Sequence, residues 1–406
     1  MTASGFPYET SYGARQPSDY WAAKIENFSF LRKIIYKFVQ NKLKPMSATF
    51  IYDRPVSGKA FIGRKEEKEK VLKALSQKMN VAIYEPDRSG KTSLLLQVKS
   101  ESKTLIDTPL WAEFSLLSCR SAEDFLSKAF RSTYALMSTE DKSALENEYL
   151  HFGGALSDDD IRKVLAFPYL LAHKKKKRLI ITVYEFQNIL QAKDGDRVLR
   201  IFEEVVRKSS PEQKAFCTWI WTGSQVNAMK YIFEKQKYFF RMVQRVKLES
   251  IPYREIENHI IKGFLVSGKV IEKEQVQEIF DVLRGNIYYL NHLCAICDGL
   301  SRGYIMESVV QESILSLLNV HEPHFKALMN DLTDFQISLL KAVLDGQTRF
   351  SSAAVIEQYG LSSSANVRRI KDALCKKEVI TFLDNDSAII LDPLLEYWLR
   401  KYYFVF

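Results

Sequence analysis

The segment Leu179-Ile180-Ile181-Thr182-Val183-Tyr184 constrains this chain more than any other stretch. It is nearly continuous in apolar and β-branched residues, without the polar alternation of a half-exposed strand. Such a run describes a strand buried on both faces, the mark of a parallel sheet covered by helices. Comparable segments recur along the chain. Residues 80–84 read as a short apolar strand, followed by a turn and a helical stretch over 91–98. Residues 110–116 read as a strand and 122–137 as a helix; 197–208 then read as a helix, 216–221 as a strand, and a further helix starts at Gln225. Strands separated by helix-length segments connect by right-handed crossovers into a parallel sheet. The expected fold class is α/β.

After Pro252 the strand signals fade, and 253–330 is helical in period, broken near Gly268 and at Arg284-Gly285-Asn286. The final stretch reads as helices over 334–344, 352–359 and 365–376. Two short apolar segments, 379–383 and 388–391, then flank a hairpin turn at Asp384-Asn385-Asp386. Three helices and a hairpin make a winged helix. The expected organisation is an N-terminal extension over 1–45, an α/β core over 46–250, a helical lid over 251–330 and the winged helix over 331–406. Within the extension, 1–20 are rich in Ser, Gly, Tyr and Pro and read as disordered. Residues 21–44 carry Ile25, Phe28, Leu31, Ile34, Ile35 and Phe38 at helical spacing among basic residues. That pattern suits a surface helix on a membrane, on a partner or on its own protein; translation starting at Met46 is the alternative.

A chain of 406 residues suggests two to four domains. No run reaches the roughly 18 to 20 apolar residues of a membrane span, and the N-terminus is polar, without the order of a secretory signal. Five scattered cysteines do not form a disulfide framework, which points to a reducing, cytoplasmic home. The formal charge of +9 is spread: residues 1–45 contribute +4 and residues 331–406 a net of −1. This is not the footprint of one nucleic-acid face. The basic run from Lys174 to Arg178 reads as a solvated connection before a buried strand. Cys294 and Cys297 lie three apart on a helical segment near His292, with no second pair at metal-finger spacing, and read as core residues.

The local chemistry centres on Glu85-Pro86-Asp87-Arg88-Ser89-Gly90-Lys91-Thr92, followed by Ser93, between a strand and a helix. The pattern approaches G-x-x-x-x-G-K-[ST], a loop whose backbone N–H groups surround phosphates at a helix N-terminus. Lys91 is placed to reach the β- and γ-phosphates, and the Thr92 hydroxyl to hold magnesium. Glu85 stands where the first glycine belongs, and its charge opposes a triphosphate unless it points away or pairs with a cation such as Arg88. Phosphate-hydrolysing enzymes of this type end a second apolar strand in Asp-Glu, the acids that order magnesium and polarise water. Here Glu185 follows Tyr184, so the magnesium-ordering position carries a phenol, a poor ligand for a hard cation. Thr222-Gly223-Ser224 ends the next strand, where Ser224 is a candidate partner for the attacking water or γ-phosphate.

Together with Phe61-Ile62-Gly63-Arg64-Lys65-Glu66-Glu67, these motifs resemble the archaeal-type P-loop ATPases, AAA+-like proteins related to the STAND regulators and origin-recognition proteins. Gly285-Asn286-Ile287-Tyr288-Tyr289-Leu290 and Asp392-Pro393-Leu394 extend the resemblance over about residues 47–403. It implies that Phe61, Ile62 and Gly63 lie against adenine, and that Arg241 contacts the γ-phosphate in cis or in a neighbouring subunit. Tyr288 stands where many such lids carry an arginine. Departures at Glu85, Tyr184 and Tyr288 fall on catalytic parts, so the expectation is ATP binding, with or without magnesium, by a nucleotide-gated switch or weak ATPase. The alternatives are a winged-helix DNA-binding regulator and a scaffolding pseudo-ATPase that oligomerises. Arg368, Arg369 and Lys371 on the third helix are the candidate DNA contacts; a protein is the other partner that winged helices take.

Overall fold

The structure, a computed structural model, describes residues 50–103, 108–138, 142, 156–383 and 387–404. The expectations for 1–45 and for the Asp384-Asn385-Asp386 turn lie outside these residues. Five strands, β1 (Asn80–Tyr84), β2 (Leu110–Ser115), β3 (Leu179–Tyr184), β4 (Cys217–Gly223) and β5 (Val243–Arg245), form one sheet in the order β2-β3-β4-β1-β5. Every pairing in it is parallel. All five residues of β1 and all seven of β4 are buried, as expected for strands with helices on both faces.

Side chains alternate between two cores. Ala82, Tyr84, Ile181, Val183, Trp219 and Trp221 face one, with Phe125 of α3 (Ala122–Tyr134) and Phe202 of α5 (Gly195–Lys208). Val81, Ile83, Ile180 and Ile220 face the other, with Val71 of α1 (Lys65–Ser76) and Leu94, Leu95 and Val98 of α2 (Lys91–Ser102). The first core is strongly aromatic: Trp219 and Trp221 stack with centroids 6.3 Å apart, and Phe202 meets both edge-on. Burying each such ring contributes on the order of 2–3 kcal/mol.

Some helices went unread in the sequence, the longest of them over 158–175. α4 (Asp158–Lys175) is opened by a capping box between Ser157 and Asp160 and carries Pro168 inside it. The basic run is therefore not simply a connection. Lys174 and Lys175 close the last turn of α4, where cations complement the helix dipole, and Lys176 leaves it in a left-handed conformation at φ 48°.

α6 (Pro211–Phe216) leads into β4 and α7 (Val226–Lys230) follows it; beyond the sheet come α8 (Tyr253–Val266), α9 (Lys273–Val282), α10 (Ile287–Leu300) and α11 (Glu307–Asn330). A parallel pair, β6 (Val270–Ile271) and β7 (Tyr304–Ile305), joins the loops between them. The chain continues as α12 (Asp334–Leu344), α13 (Ala353–Tyr359) and α14 (Ser364–Lys376). The antiparallel hairpin β8 (Ile380–Phe382) and β9 (Ala388–Ile390) follows, then α15 (Pro393–Trp398). This is a winged helix. Its core is continuous with that of the preceding helices: Phe264, Leu290, Leu317, Leu340, Ile370 and Leu399 belong to one buried cluster. Cys294 and Cys297 are buried there, and the Cys297 thiol donates to Ser313 Oγ at 3.1 Å. Among the described residues no group of acids, histidines or cysteines has metal-binding geometry, and no helix is long and apolar enough to cross a membrane.

Candidate functional site

The loop between β1 and α2 has the form its motif demands. Gly90 sits at φ 93°, a region costly for a side chain, and Arg88 adopts φ 61°. Lys91, only 8 % exposed, folds over the loop: its Nζ donates to the carbonyls of Glu85 and Pro86 at 2.8 Å each and lies 3.4 Å from Ser89 Oγ. Burial lowers the Lys91 pKa, while Glu185, Asp87 and Glu85 pull it back up. The ammonium is thus held by neutral acceptors that a phosphate oxygen outcompetes.

Glu85 does point away. Its carboxylate accepts from the Leu248 N–H at 3.2 Å. Burial raises its pKa, against the Leu248 hydrogen bond, Arg245, Lys247 and Lys91. Arg88 turns elsewhere: its guanidinium lies 4.5 Å from the Tyr288 ring centroid and 3.8 Å from the Asp87 carboxylate.

Thr92 and Ser93 stand in the first turn of α2 and, with Asp87, Arg88, Gly90 and Lys91, line a cavity of about 460 Å³. Its other walls are Glu185, then Ile287, Tyr288 and Asn291 of α10, and the extended segment 51–56. That volume suits a nucleotide-sized ligand. Segment 51–56 is tied to α2, since Val56 N–H donates to Ser93 Oγ at 3.1 Å. Asn291 Nδ2 donates to the Ile51 carbonyl at 3.0 Å, and Tyr52 stacks on His292 with centroids 4.0 Å apart. Burial, then His321 and Arg88, push the His292 pKa down to about 4, so that ring is neutral at pH 7.

Sequence reasoning missed this segment. Phe61, Ile62 and Gly63, expected against adenine, are not among the residues that line this cavity. Phe61 packs on the sheet core beside α2, Ile62 on the helical core, and a Cβ on Gly63 would lie 2.7 Å from Ile251 Cγ2. The chemistry of that motif is a brace. Arg64 pairs with Glu67 at 3.1 Å, donates to the Ser89 carbonyl at 3.2 Å and also bonds the Glu249 carbonyl. The motif therefore holds the loop from behind, and the cavity wall is built by 51–56.

Glu185, at φ 54°, projects from the end of β3 into the cavity wall. Its Oε2 accepts from Ser224 Oγ at 2.5 Å and from Gln187 Nε2 at 2.7 Å. The two strand-end residues singled out by sequence are thus in contact. Tyr184 faces the opposite side, packed with Trp111 against the α2 core. Burial and the nearby Glu113 raise its pKa, keeping the phenol neutral. Arg241 is not brought to the cavity: it is exposed in a turn at φ 60°, its guanidinium 5.2 Å from the Phe240 ring.

On α14, Arg368 and Arg369 are exposed, while Lys371 lies 4.1 Å over the Phe382 ring. The end of this helix is docked on the α/β core. Glu378 accepts from Asn227 N–H at 3.1 Å and Ala228 N–H at 3.0 Å, capping α7, which follows Ser224. Asn227 Nδ2 donates to the Ile380 carbonyl at 2.8 Å, and Lys230 Nζ to Thr381 Oγ1 at 3.0 Å.

Comparison with known proteins agrees with this architecture. Residues 323–401 match the family model described as a probable winged helix domain. The Walker-type ATPase PABY2304 of Pyrococcus abyssi superposes with a TM-score of 0.63 at 15% identity, covering 87% of this chain and 99% of that one. The chain shares the fold of that ATPase. The ORC2 protein of Aeropyrum pernix, solved as ADPNP–ADP complexes, shares the fold at a TM-score of 0.53 and 16% identity, covering 86% of this chain and 96% of that one. No curated protein matches the sequence significantly. Of Glu85, Tyr184 and Tyr288, the three positions at which the sequence departs from the expected motifs, only Tyr288 lines the loop cavity.

Proposed function

We propose that this protein binds ATP, or a close relative, in the cavity between the 85–93 loop and α10, and works as a nucleotide-gated switch with slow hydrolysis. In this reading 46–250 is the nucleotide-binding core, 251–330 the lid and 331–406 the winged helix. The observation that carries it is the loop itself: a buried Lys91 held by loop carbonyls at a helix N-terminus, facing Glu185 bonded to Ser224. The ORC2 protein, which shares this fold, was solved with ADPNP and ADP, which supports a nucleotide site in this fold. Backbone amides from Asp87 to Thr92 and the Lys91 ammonium suit phosphate oxygens. Tyr52, Ile51 and Asn291 suit the base.

Magnesium fits less completely. The Thr92 hydroxyl is a suitable donor, but the neutral Tyr184 phenol packs away from the cavity, leaving phosphate and water oxygens to fill the shell. Magnesium supplies charge neutralisation of the phosphates when bound. Glu185 orients a water through the oxygen it shares with Ser224, and the missing second acid keeps turnover slow. The cytoplasm, which is rich in ATP, is the compartment that suits this reading.

Calorimetric titration of ATP into the full chain and into Lys91→Ala tests it. Loss of Lys91 is expected to weaken ATP at least tenfold; equal heats for the two proteins rule the reading out. Exposed Arg368 and Arg369 on the third helix of the winged unit favour a second reading, duplex DNA binding. It requires affinity that falls steeply with salt, and a salt-insensitive gel shift rejects it.

A further inference from the structure

The lid brings no charge of its own to the nucleotide cavity: its lining residues there are Ile287, Tyr288 and Asn291. A triphosphate carries more negative charge than a diphosphate, and a site that tells them apart needs a cation at the far end of the phosphate chain. Lys91 rises from the floor of the loop, where the Glu85 and Pro86 carbonyls hold it, and meets the phosphates that a diphosphate and a triphosphate share. Arg54, on the opposite strap, is mostly exposed beside Asp53.

Arg88 is placed differently. It lines the nucleotide cavity and also a second cavity of about 530 Å³, which Ser224, Asn286, Tyr289, His321 and Asp392 help to enclose. It therefore stands at the junction of the loop, the lid and the winged helix, on the side where Ser224 meets Glu185. Its charge is felt on both sides, since it lowers the pKa of His292 and of His321. Its guanidinium face lies 4.5 Å from the Tyr288 ring centroid, a cation–π contact that fixes the plane and leaves the edge N–H groups for other acceptors. The carboxylate near it, Asp87, is 80% exposed at 3.8 Å, and such a pair contributes little.

We propose that Arg88 is the residue that distinguishes a nucleoside triphosphate from a diphosphate at this site. It donates to the terminal phosphate while its face stays on Tyr288, so the third phosphate ties the lid helix to the loop. The cation is supplied by the loop, and the lid supplies the aromatic that holds it. This rests on the ATP-binding reading and deepens it.

The geometry makes a reciprocal test. ATP and ADP are titrated calorimetrically into the full chain and its Arg88→Ala, Tyr288→Arg and double variants. Arg88→Ala is expected to weaken ATP about tenfold or more, the worth of one charge-assisted hydrogen bond, and ADP less than about threefold. Tyr288→Arg, which sets a second cation against Arg88, weakens ATP in the native background. In the Arg88→Ala background the same change restores ATP to within about threefold of the parent. Equal losses of ATP and ADP in Arg88→Ala, no loss at all, or a Tyr288→Arg that tightens ATP beside an intact Arg88, each overturn the proposal. A parent chain that binds neither nucleotide overturns the ATP-binding reading and this proposal together; one that binds both, with unaltered selectivity in Arg88→Ala, overturns this proposal alone.

Discussion

Removing the Glu378 carboxylate should loosen the winged helix from the α/β core. Glu378 takes two backbone N–H groups at the start of α7, at 3.0 and 3.1 Å, and the Asn227 amide at 3.2 Å. Hydrogen bonds to a charged acceptor are worth about 1.5–3 kcal/mol each, so three give a gross figure well above 4 kcal/mol. Two effects reduce it. Burial raises the Glu378 pKa despite those donors, so the ionised form is held at a desolvation cost. The freed amides also border a cavity of about 870 Å³ that Asn227, Ala228 and Glu378 line, where water can replace the carboxylate. A net loss of about 2 kcal/mol for Glu378→Ala is therefore expected, or roughly a thirtyfold rise in local opening. Glu378→Gln, which keeps one carbonyl acceptor, should lose about half of that. Hydrogen–deuterium exchange reads it directly: amides in 226–230 and 375–382 should exchange faster together, with β1 and β3 unchanged. Unaltered exchange in both segments of Glu378→Ala would refute the reasoning.

Other perturbations follow from the same geometry. Glu85→Gln keeps an acceptor for the Leu248 N–H while removing a buried charge whose folded pKa is raised. A raised carboxyl pKa gives stability that is present below the unfolded value, about 4.3, and lost as pH rises through the folded value. The stability advantage of Glu85→Gln over the parent in thermal melts should therefore grow from about pH 4 to pH 7, and a pH-independent difference contradicts this. Gly223→Ala places a Cβ 2.5 Å from both Gln187 Oε1 and Met229 Cγ. It should cost about 1–3 kcal/mol as overpacking, seen as a lower melting temperature, whereas an unchanged melt would mean that β4 shifts freely. Because Tyr184 packs on the α2 core away from the cavity, Tyr184→Asp should leave magnesium-dependent phosphate release unchanged while lowering the melting temperature; a raised rate would show that this position serves the metal.

The strands and the three-helix-plus-hairpin unit were legible because their signals are local. An apolar run such as 179–184 declares its own burial, and the residues flanking Gly90 set a loop at a helix start. What escaped has no local period. Segment 51–56 is extended and irregular, fixed by partners such as Ser93 and Asn291 that lie 37 and 240 residues away. Pro168 and a terminal run of lysines obscured the periodicity of α4, though Ser157 and its three following aspartates form a readable start. The Phe61–Glu67 motif was legible as a motif, yet its contacts show Arg64 bracing the Ser89 carbonyl, with Phe61 to Gly63 packed outside the cavity. Glu378 offered nothing in sequence. Its value comes from meeting α7 across 150 residues of chain.

Backbone amides curling around a polyphosphate are the foundation of the nucleotide reading, and their exchange is its most direct measure. At the ATP concentration that just saturates the parent chain, amides from Asp87 to Thr92 should gain strong protection there and much less in Lys91→Ala. Identical exchange over that loop with and without ATP in the parent chain would contradict the account.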